Sequence, residues 1–398
     1  MRSQIFRNLP YCIFIGVFCL GDAFFTPYIV LYFTDCGLTT TQASLAYSGM
    51  TVGSILGGLA LGYIADSTHN ARKTLCVSML FAAAQILALQ KCTGFAAMAG
   101  AIFLYGFFDL PAVALFDNII VQNVPDWNRS YNVIQTIGNV GYVVGILIAG
   151  NVLARFGYQA VFTFAIMMLA VSALSCGKMG NAGKKRKKGK VPLGKLFHNW
   201  MSFYIYFSMF LWGVIETGSL AYATKYYTDL GYSAGYAAVM IAIAVTGQIL
   251  SYYFLYTRPN ALPNQALCSA GFALLGVRIL SMALVNALPY PVLVLMAFFG
   301  GACTPLTTMG VVRMISRNFP KEVSNSAQNF KSIAYRGLGG SLGSYIFGAL
   351  YGHIPAQQLM LLAAGVSVGF GVLLAGVYRV VTCLDQRRET QNACRAAQ

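Results

Sequence analysis

Long apolar runs recur along the whole chain, and they restrict its possible folds more than any other feature. Each run has about 20 residues, the length an α-helix needs to cross a hydrocarbon core of about 30 Å. Backbone groups in lipid must be hydrogen-bonded internally, so such runs form helices and not loops or open strands. Twelve runs are present: 8–33, 42–65, 73–91, 96–121, 131–153, 158–177, 200–225, 234–256, 264–285, 290–314, 324–350 and 357–381.

Composition agrees with a chain that crosses a membrane many times. Of its 398 residues, 57% are hydrophobic and 10% are charged, whereas soluble proteins have about 25% charged residues. The first run follows Arg2 and Arg7, but it is too long for a signal peptide and has no cleavage site. We therefore predict an all-α integral membrane protein with twelve transmembrane helices, the first of which is this run.

The positive charge is distributed as membrane topology requires. If both termini lie on one side, most of the 27 lysines and arginines fall on that side, and Lys91, Arg155 and Lys225 fall on the other. This asymmetry follows the positive-inside rule. It predicts a multi-pass protein of the cell membrane with both termini in the cytoplasm. Membrane topology thereby explains the net charge of +16, so we expect the lipid bilayer as a partner and no nucleic acid.

The sequence shows no pattern for a metal, a cofactor or ATP. The ten cysteines have no CxxC spacing, and the three histidines are scattered among loops. No glycine-rich phosphate loop precedes a helix. We expect a monomer without cofactor or metal that is not an enzyme.

The chain repeats itself weakly across one basic segment. At an offset of 194, residues 32–37 match 226–231, and residues 53–56 match 247–250. At an offset of 198, three glycines pair with three others: Gly141, Gly145 and Gly150 with Gly339, Gly343 and Gly348. We predict two pseudo-symmetric six-helix bundles, residues 1–177 and 200–398, joined by a cytoplasmic linker at 178–199. Parallel repeats of six helices are the architecture of major facilitator transporters.

Charged residues lie inside the apolar runs, where they are costly. The offset of 194 carries Asp22 of the first run onto Glu216 of the seventh, so both halves place an acid at one depth. An intramembrane charge faces water or a partner, which predicts a polar cavity between the halves. Six residues are assigned to this cavity and to proton coupling: Asp22, Asp109, Glu216, Arg278, Lys331 and Arg336. Asp117, nearer a helix end, is a seventh charge that solvent can reach.

Two interpretations of these charges stay open. Glu216 and Arg336 are either part of the transport site or a structural ion pair. Asp22 and Asp109 have no base on their own runs, so either one can serve as the proton carrier. Pro27 removes a backbone hydrogen bond close to Asp22, so we expect the first helix to bend there.

A short motif follows the second run and resembles the loop signature of the major facilitator superfamily. Residues 62–73 read GYIADSTHNARK. Four of them fit the signature: Gly62, Asp66, Arg72 and Lys73. Ser67 and His69 depart from it, standing where the family has a base and a glycine. The resemblance implies that this motif closes the cytoplasmic face between the halves.

Other motifs resemble the lactose permease-like and phenylpropionate permease-like branch, whose members are oligosaccharide–proton symporters. They are Phe107-Phe108 with Pro111 and Asp117, Gly138 with Gly141-Tyr142, Pro320 with Glu322, Ala327-Gln328, and the glycines at 337, 339, 340 and 343. The residues matching the galactoside-binding pair are Gln135 and Ala114, and those matching the proton-site acid and histidine are Cys303 and Gly300. Arg278, Glu216 and Arg336 are retained. The resemblance thus implies the permease scaffold without its galactoside site.

Aromatic residues crowd the same helices and suit the ring of a sugar or a planar solute, although packing explains most aromatics in membranes. The candidates for the substrate cavity are Phe25, Tyr28, Gln135, Tyr142, Trp212 and Tyr222. We expect secondary transport of a small organic solute with protons, by alternating access. The alternatives are an exporter of amphipathic compounds and a non-transporting membrane sensor on the same fold.

Overall fold

The structure, a computed structural model, describes residues 8–124, 127–180, 200–258, 262–319, 327 and 330–396. Within these ranges the regular secondary structure is helical, with no strand. The Pro320/Glu322 and Gln328 positions and most of the basic linker lie outside the described residues.

The N-terminal half contains six helical segments. α1 is interrupted by a 3-10 turn, and α5 and α6 form one continuous run that breaks at Gly157, where φ is 73°. Their bounds are α1 Leu9–Phe25, Thr26–Tyr28 and Ile29–Asp35; α2 Thr40–Thr68; α3 Ala71–Leu89; α4 Phe95–Asn123; and α5 and α6, the parts of Trp127–Ser175 before and after Gly157.

The C-terminal half is built in the same order. α7 and α10 are each interrupted, and α11 contains a π-helical turn. Their bounds are α7 Trp200–Ala221 and Ala223–Asp229; α8 Ala234–Thr257; α9 Asn264–Ala283; α10 Tyr290–Gly300 and Cys303–Asn318; α11 Ile333–Gly339 and Gly340–Tyr351; and α12 Ala356–Ala396.

Nine helices among the described residues are long and apolar enough to cross a membrane. One of the nine, Val133–Lys178, contains the break at Gly157. α7 and α11, which carry Glu216 and Arg336, are not among the nine. The all-helical membrane architecture is confirmed, while the count of twelve spans stays a prediction.

The backbone repeats at the offset found in the sequence. α1 and α7 are both interrupted at a tyrosine, Tyr28 (φ −107°, ψ −4°) and Tyr222 (φ −95°, ψ 0°). Both helices then end two residues before a left-handed glycine, Gly37 (φ 88°) and Gly231 (φ 87°). Only the first interruption contains a proline. The expected bend near Pro27 is therefore present, but it is a property of the repeat and not of proline alone.

Glycines set the closest helix contacts, and these contacts repeat as well. A Cβ at Gly141 would overlap the carbonyl oxygen of Gly16, and a Cβ at Gly339 would overlap that of Phe210. Gly16 and Phe210 are themselves 194 residues apart. α1 therefore packs on α5 as α7 packs on α11, so the acids of α1 and α7 occupy equivalent positions.

The two halves meet along two contacts at the end of the molecule opposite the linker, here called the far side. Gly348 of α11 lies against Ser44 of α2. Gly150 of α5 lies against Ala238 of α8, whose Cβ would be 2.7 Å from a Cβ placed on Gly150. Ser44 and Ala238 are related by the 194 offset. The α2–α11 contact and the α5–α8 contact are therefore pseudo-symmetric copies.

Hydroxyl groups reinforce one of these contacts. The Ser48 and Ser344 hydroxyl oxygens are 2.8 Å apart, and Thr51 is hydrogen-bonded to Ser341. Tyr222 donates a hydrogen bond to the Thr40 carbonyl oxygen at 3.1 Å. In the described part of the chain, no comparable packing joins α4 or α5 to α10 or α11 toward the linker side. The halves are thus closed at the far side.

We predict that Gly57→Ala destabilises the protein while Gly58→Ala does not. A Cβ at Gly57 would overlap the Phe107 carbonyl oxygen, so α2 and α4 must separate; a Cβ at Gly58 meets nothing within 4 Å. Overpacking of this kind costs about 1–3 kcal/mol. Thermal unfolding of the purified variants in detergent checks it, and an equal loss in both would contradict it.

Candidate functional site

Two acids of the N-terminal half lie close together near the middle of the structure. Asp22 of α1 is partly exposed and accepts a hydrogen bond from the Thr26 hydroxyl. Asp109 of α4 is 1% exposed, and its Oδ1 has no hydrogen-bond partner among the described residues. The two carboxylates interact electrostatically, and both lie near Cys19. The structure therefore brings the two predicted acids together.

One arginine of the opposite half faces these acids. Arg336 of α11 is solvent-exposed and interacts electrostatically with Asp22, Asp109 and Glu216. Tyr47 of α2 is 7% exposed and interacts electrostatically with Asp22, Arg336 and Glu216. The guanidinium of Arg336 thus interacts with acids of both halves.

Glu216 is held differently from the predicted ion pair. Its carboxylate accepts hydrogen bonds from the Tyr335 hydroxyl and from Thr304 Oγ1, the latter at 3.2 Å. No salt bridge within 4.0 Å joins it to Arg336 in the described residues. The interpretation as a direct Glu216–Arg336 ion pair is thereby corrected: two neutral hydroxyl groups donate to the carboxylate, while Arg336 interacts with it only electrostatically and lies beside the Tyr335 ring.

A π-helical turn explains this arrangement. The turn Ile333–Gly339 contains both Tyr335 and Arg336, and a Cβ at Gly213 of α7 would overlap the Tyr335 carbonyl oxygen. π-helical turns are rare in proteins, and many of those that occur lie at functional sites. The wider turn rotates the residues of α11 relative to an α-helix, so that Tyr335 reaches Glu216.

The remaining predicted charges lie on either side of this centre. Arg278 of α9 is 9% exposed and lies near Cys303 of α10 and Tyr142 of α5. Lys331, near the start of α11, interacts electrostatically with Asp117 of α4. Gln135 of α5 also donates a hydrogen bond to Asp117 at 3.3 Å. Asp117 is thus part of a polar group between the halves and not a merely solvated helix-end acid.

Several residues of the site carried no sequence signal of their own. Tyr47, Tyr105, Tyr252 and Tyr335 each interact with one or more of the charged residues. Tyr105 lies one turn before Asp109 on α4, a spacing that places both on one helix face. That spacing could have identified Tyr105, whereas the others depend on contacts between helices.

The structure distributes the substrate-cavity candidates among different environments. Tyr142 is partly exposed beside the charges, and Tyr28 lies near it with a buried hydroxyl that has no partner among the described residues. Phe25 packs in the core between Tyr105 and Phe162, with ring centroids 4.7 and 5.0 Å away. Trp212 is likewise buried, edge-on to Phe272. Phe25, Trp212 and the inter-half Tyr222 therefore differ from the expectation of a cavity lining.

Arg72 of the predicted closing motif contacts its own half. Arg72 donates a hydrogen bond to the Met179 carbonyl oxygen at 3.1 Å, after the end of α6. Lys73 is exposed, and a Cβ at Gly62 would meet nothing within 4 Å. The side chain of Asp66 lies outside the described ones. The role of this motif in closing the cytoplasmic face stays a prediction.

Comparison with known proteins identifies the family of this chain. Residues 11–362 match the model of the MFS_1 like family. The putative nucleoside transporter YegT of Escherichia coli strain K12 is 26% identical over 168 residues, 42% of this chain and 39% of that protein. The match thus spans well under half of that relative.

Solved structures match over nearly the full length. A variant of the nucleoside transporter NupG superposes with a TM-score of 0.80 at 17% identity, covering 93% of this chain and 99% of that one. A D-xylose–proton symporter gives a TM-score of 0.74 at 13% identity, covering 93% and 97%. At these identities the likeness shows the fold.

We predict that Glu216 is coupled energetically to Tyr335 more strongly than to Arg336. A double-mutant cycle with Glu216→Gln and Tyr335→Phe should show coupling toward the upper end of the range for membrane hydrogen bonds, about 0.6–1.7 kcal/mol, because the acceptor is a carboxylate. The cycle with Arg336→Gln should give less. Unfolding in detergent measures both.

Tyr226→Phe is the control for this cycle, because its hydroxyl is buried and has no hydrogen-bond partner in the described chain. Larger coupling to Arg336 than to Tyr335 would restore the ion-pair interpretation.

Proposed function

The chain belongs to the MFS_1 like family of membrane transporters, not to an enzyme family, and from that premise we propose that it carries a small polar organic solute across the cell membrane in symport with protons. The proposed solute class is nucleosides or sugars. Named relatives and fold neighbours support this class, since they include nucleoside transporters and a sugar–proton symporter.

The proximity of Asp22 and Asp109 is the observation that carries proton coupling. Two carboxylates in a buried site repel each other, and a bound proton relieves that repulsion. Arg336 of the other half is the alternative source of positive charge. A proton on the pair and Arg336 beside it therefore compete, which couples protonation to the approach of the two halves.

The surroundings of these charges suit a ring bearing hydroxyl groups. Tyrosines from α1, α2, α4, α5, α8 and α11 surround them, and each offers an aromatic face and one hydroxyl. Tyr142 is partly exposed beside these charges, so its ring and hydroxyl can face a bound solute. A nucleoside or a sugar supplies the matching donors and acceptors.

The far-side contacts fit one state of an alternating-access cycle. With α2 against α11 and α5 against α8, the site is reached from the linker side. The basic segment within 178–199 supports a cytoplasmic linker by the positive-inside rule, and with that orientation this state faces inward. Release of the far-side contacts and closure on the linker side complete the cycle, and both bundles then move as units.

We predict that Asp22→Asn and Asp109→Asn abolish accumulation of solute driven by a pH gradient, while solute exchange persists. Exchange needs no net proton movement, so a variant that cannot take up the proton should equilibrate solute without concentrating it. Proteoliposomes with labelled uridine or xylose and an imposed pH gradient provide the measurement.

Asp35→Asn is the matched control, because Asp35 lies at the far side, where its carboxylate accepts a hydrogen bond from the Tyr158 hydroxyl at 2.5 Å. Full accumulation by both cavity variants would move the carrier to Glu216. Outward movement of solute alone would favour the exporter, and no movement of any solute would favour the sensor.

We predict that Ser48→Cys with Ser344→Cys forms a disulfide that stops transport, because the native oxygens are 2.8 Å apart and the bond holds the far side closed. Reduction should restore uptake. Each single cysteine variant controls for the native thiols. Full transport by the oxidised double variant would show that the α2–α11 contact does not open.

A further inference from the structure

The C-terminal half contains a buried arginine without an anionic partner. Arg278 is 9% exposed, and no carboxylate among the described residues lies within 4.0 Å of its guanidinium. Glu216 is satisfied by Tyr335 and Thr304. A buried charge in a membrane protein is costly without a partner or water. The position therefore needs an anion that the described chain does not supply.

Arg278 borders a small, partly open cavity between α7, α8, α9 and α10. Its inner space has a volume of about 20 Å³, and the rest of its wall is mostly aliphatic and methionine side chains. A buried water needs about 10–15 Å³, so this space suits a single small guest.

The polar groups at this cavity favour an anion. Tyr227 lines it and is only 1% exposed. Ser281 also lines it, but its hydroxyl donates to the Arg278 carbonyl oxygen at 2.7 Å. The Cys303 thiol lies within hydrogen-bonding reach of Arg278. The guanidinium and the tyrosine hydroxyl are thus available donors, and no carboxylate lines the cavity.

We propose that Arg278 and Tyr227 form a binding site for one small monovalent anion of the size of chloride. The anion neutralises Arg278 in the low-dielectric interior of the C-terminal half. The aliphatic wall offers larger anions, which need several hydrogen-bond donors, no further polar partner. The test below uses the solute-free protein, so its outcome does not depend on the proposed solute or on proton coupling.

Thermal unfolding of the solute-free protein in detergent tests the site. Sodium chloride is titrated against sodium gluconate at constant ionic strength, with bromide and formate as further arms. We expect chloride and bromide to raise Tm in a saturable way, as a ligand of the folded state does. Gluconate is too large to enter. Arg278→Gln should lose the chloride dependence, and Arg155→Gln, which removes an exposed charge, should keep it.

A second variant keeps the test informative if Arg278→Gln does not fold. Tyr227→Phe removes one donor and retains the charge, so the chloride midpoint should rise by about tenfold, as expected for a hydrogen bond to a charged group. A wild-type Tm independent of chloride would overturn the proposal. So would an unchanged dependence in Arg278→Gln, or stabilisation by formate alone, which would indicate a carboxylate site.

Discussion

A hydrocarbon interior offers a charged side chain neither water nor a partner, and this constraint organises the molecule. Asp22, Asp109, Glu216 and Arg336 come from four helices, and the structure gathers them between the halves. Each has a different partner: Asp22 a threonine, Asp109 the tyrosine Tyr105, Glu216 two hydroxyl groups, and Arg336 solvent. Buried polar groups contribute little net stability, so this arrangement serves function at the expense of stability.

Much of this arrangement could be read from spacing, because the repeat constrains positions along each helix. The offset that paired Asp22 with Glu216 also pairs the interruptions at Tyr28 and Tyr222 and the turns at Gly37 and Gly231. The glycine pairs found at the second offset are the residues where helices touch. Small residues let helix backbones approach each other in membranes. The spacing of these glycines therefore indicates which helices are in contact.

Spacing could not give the direction of side chains around each helix. Glu216 was expected to meet Arg336, but the π-helical turn in α11 brings Tyr335 to it instead. No residue type signals such a turn in advance. Phe25 was placed among the cavity candidates with the other aromatic residues of the charged helices, yet its ring packs between Tyr105 and Phe162 in the core of its own half.

The two far-side contacts are copies in position but not in chemistry. Ser48 and Ser344 meet through hydroxyl groups, whereas Gly150 lies against the Ala238 methyl group and the backbone of Ala234 and Gly235. Parting the first contact exchanges protein hydrogen bonds for water, and parting the second exposes methyl groups to water, which raises the heat capacity. The two contacts therefore respond differently to cooling. Hydrophobic association weakens in the cold, so the α5–α8 contact becomes the weaker of the two as temperature falls.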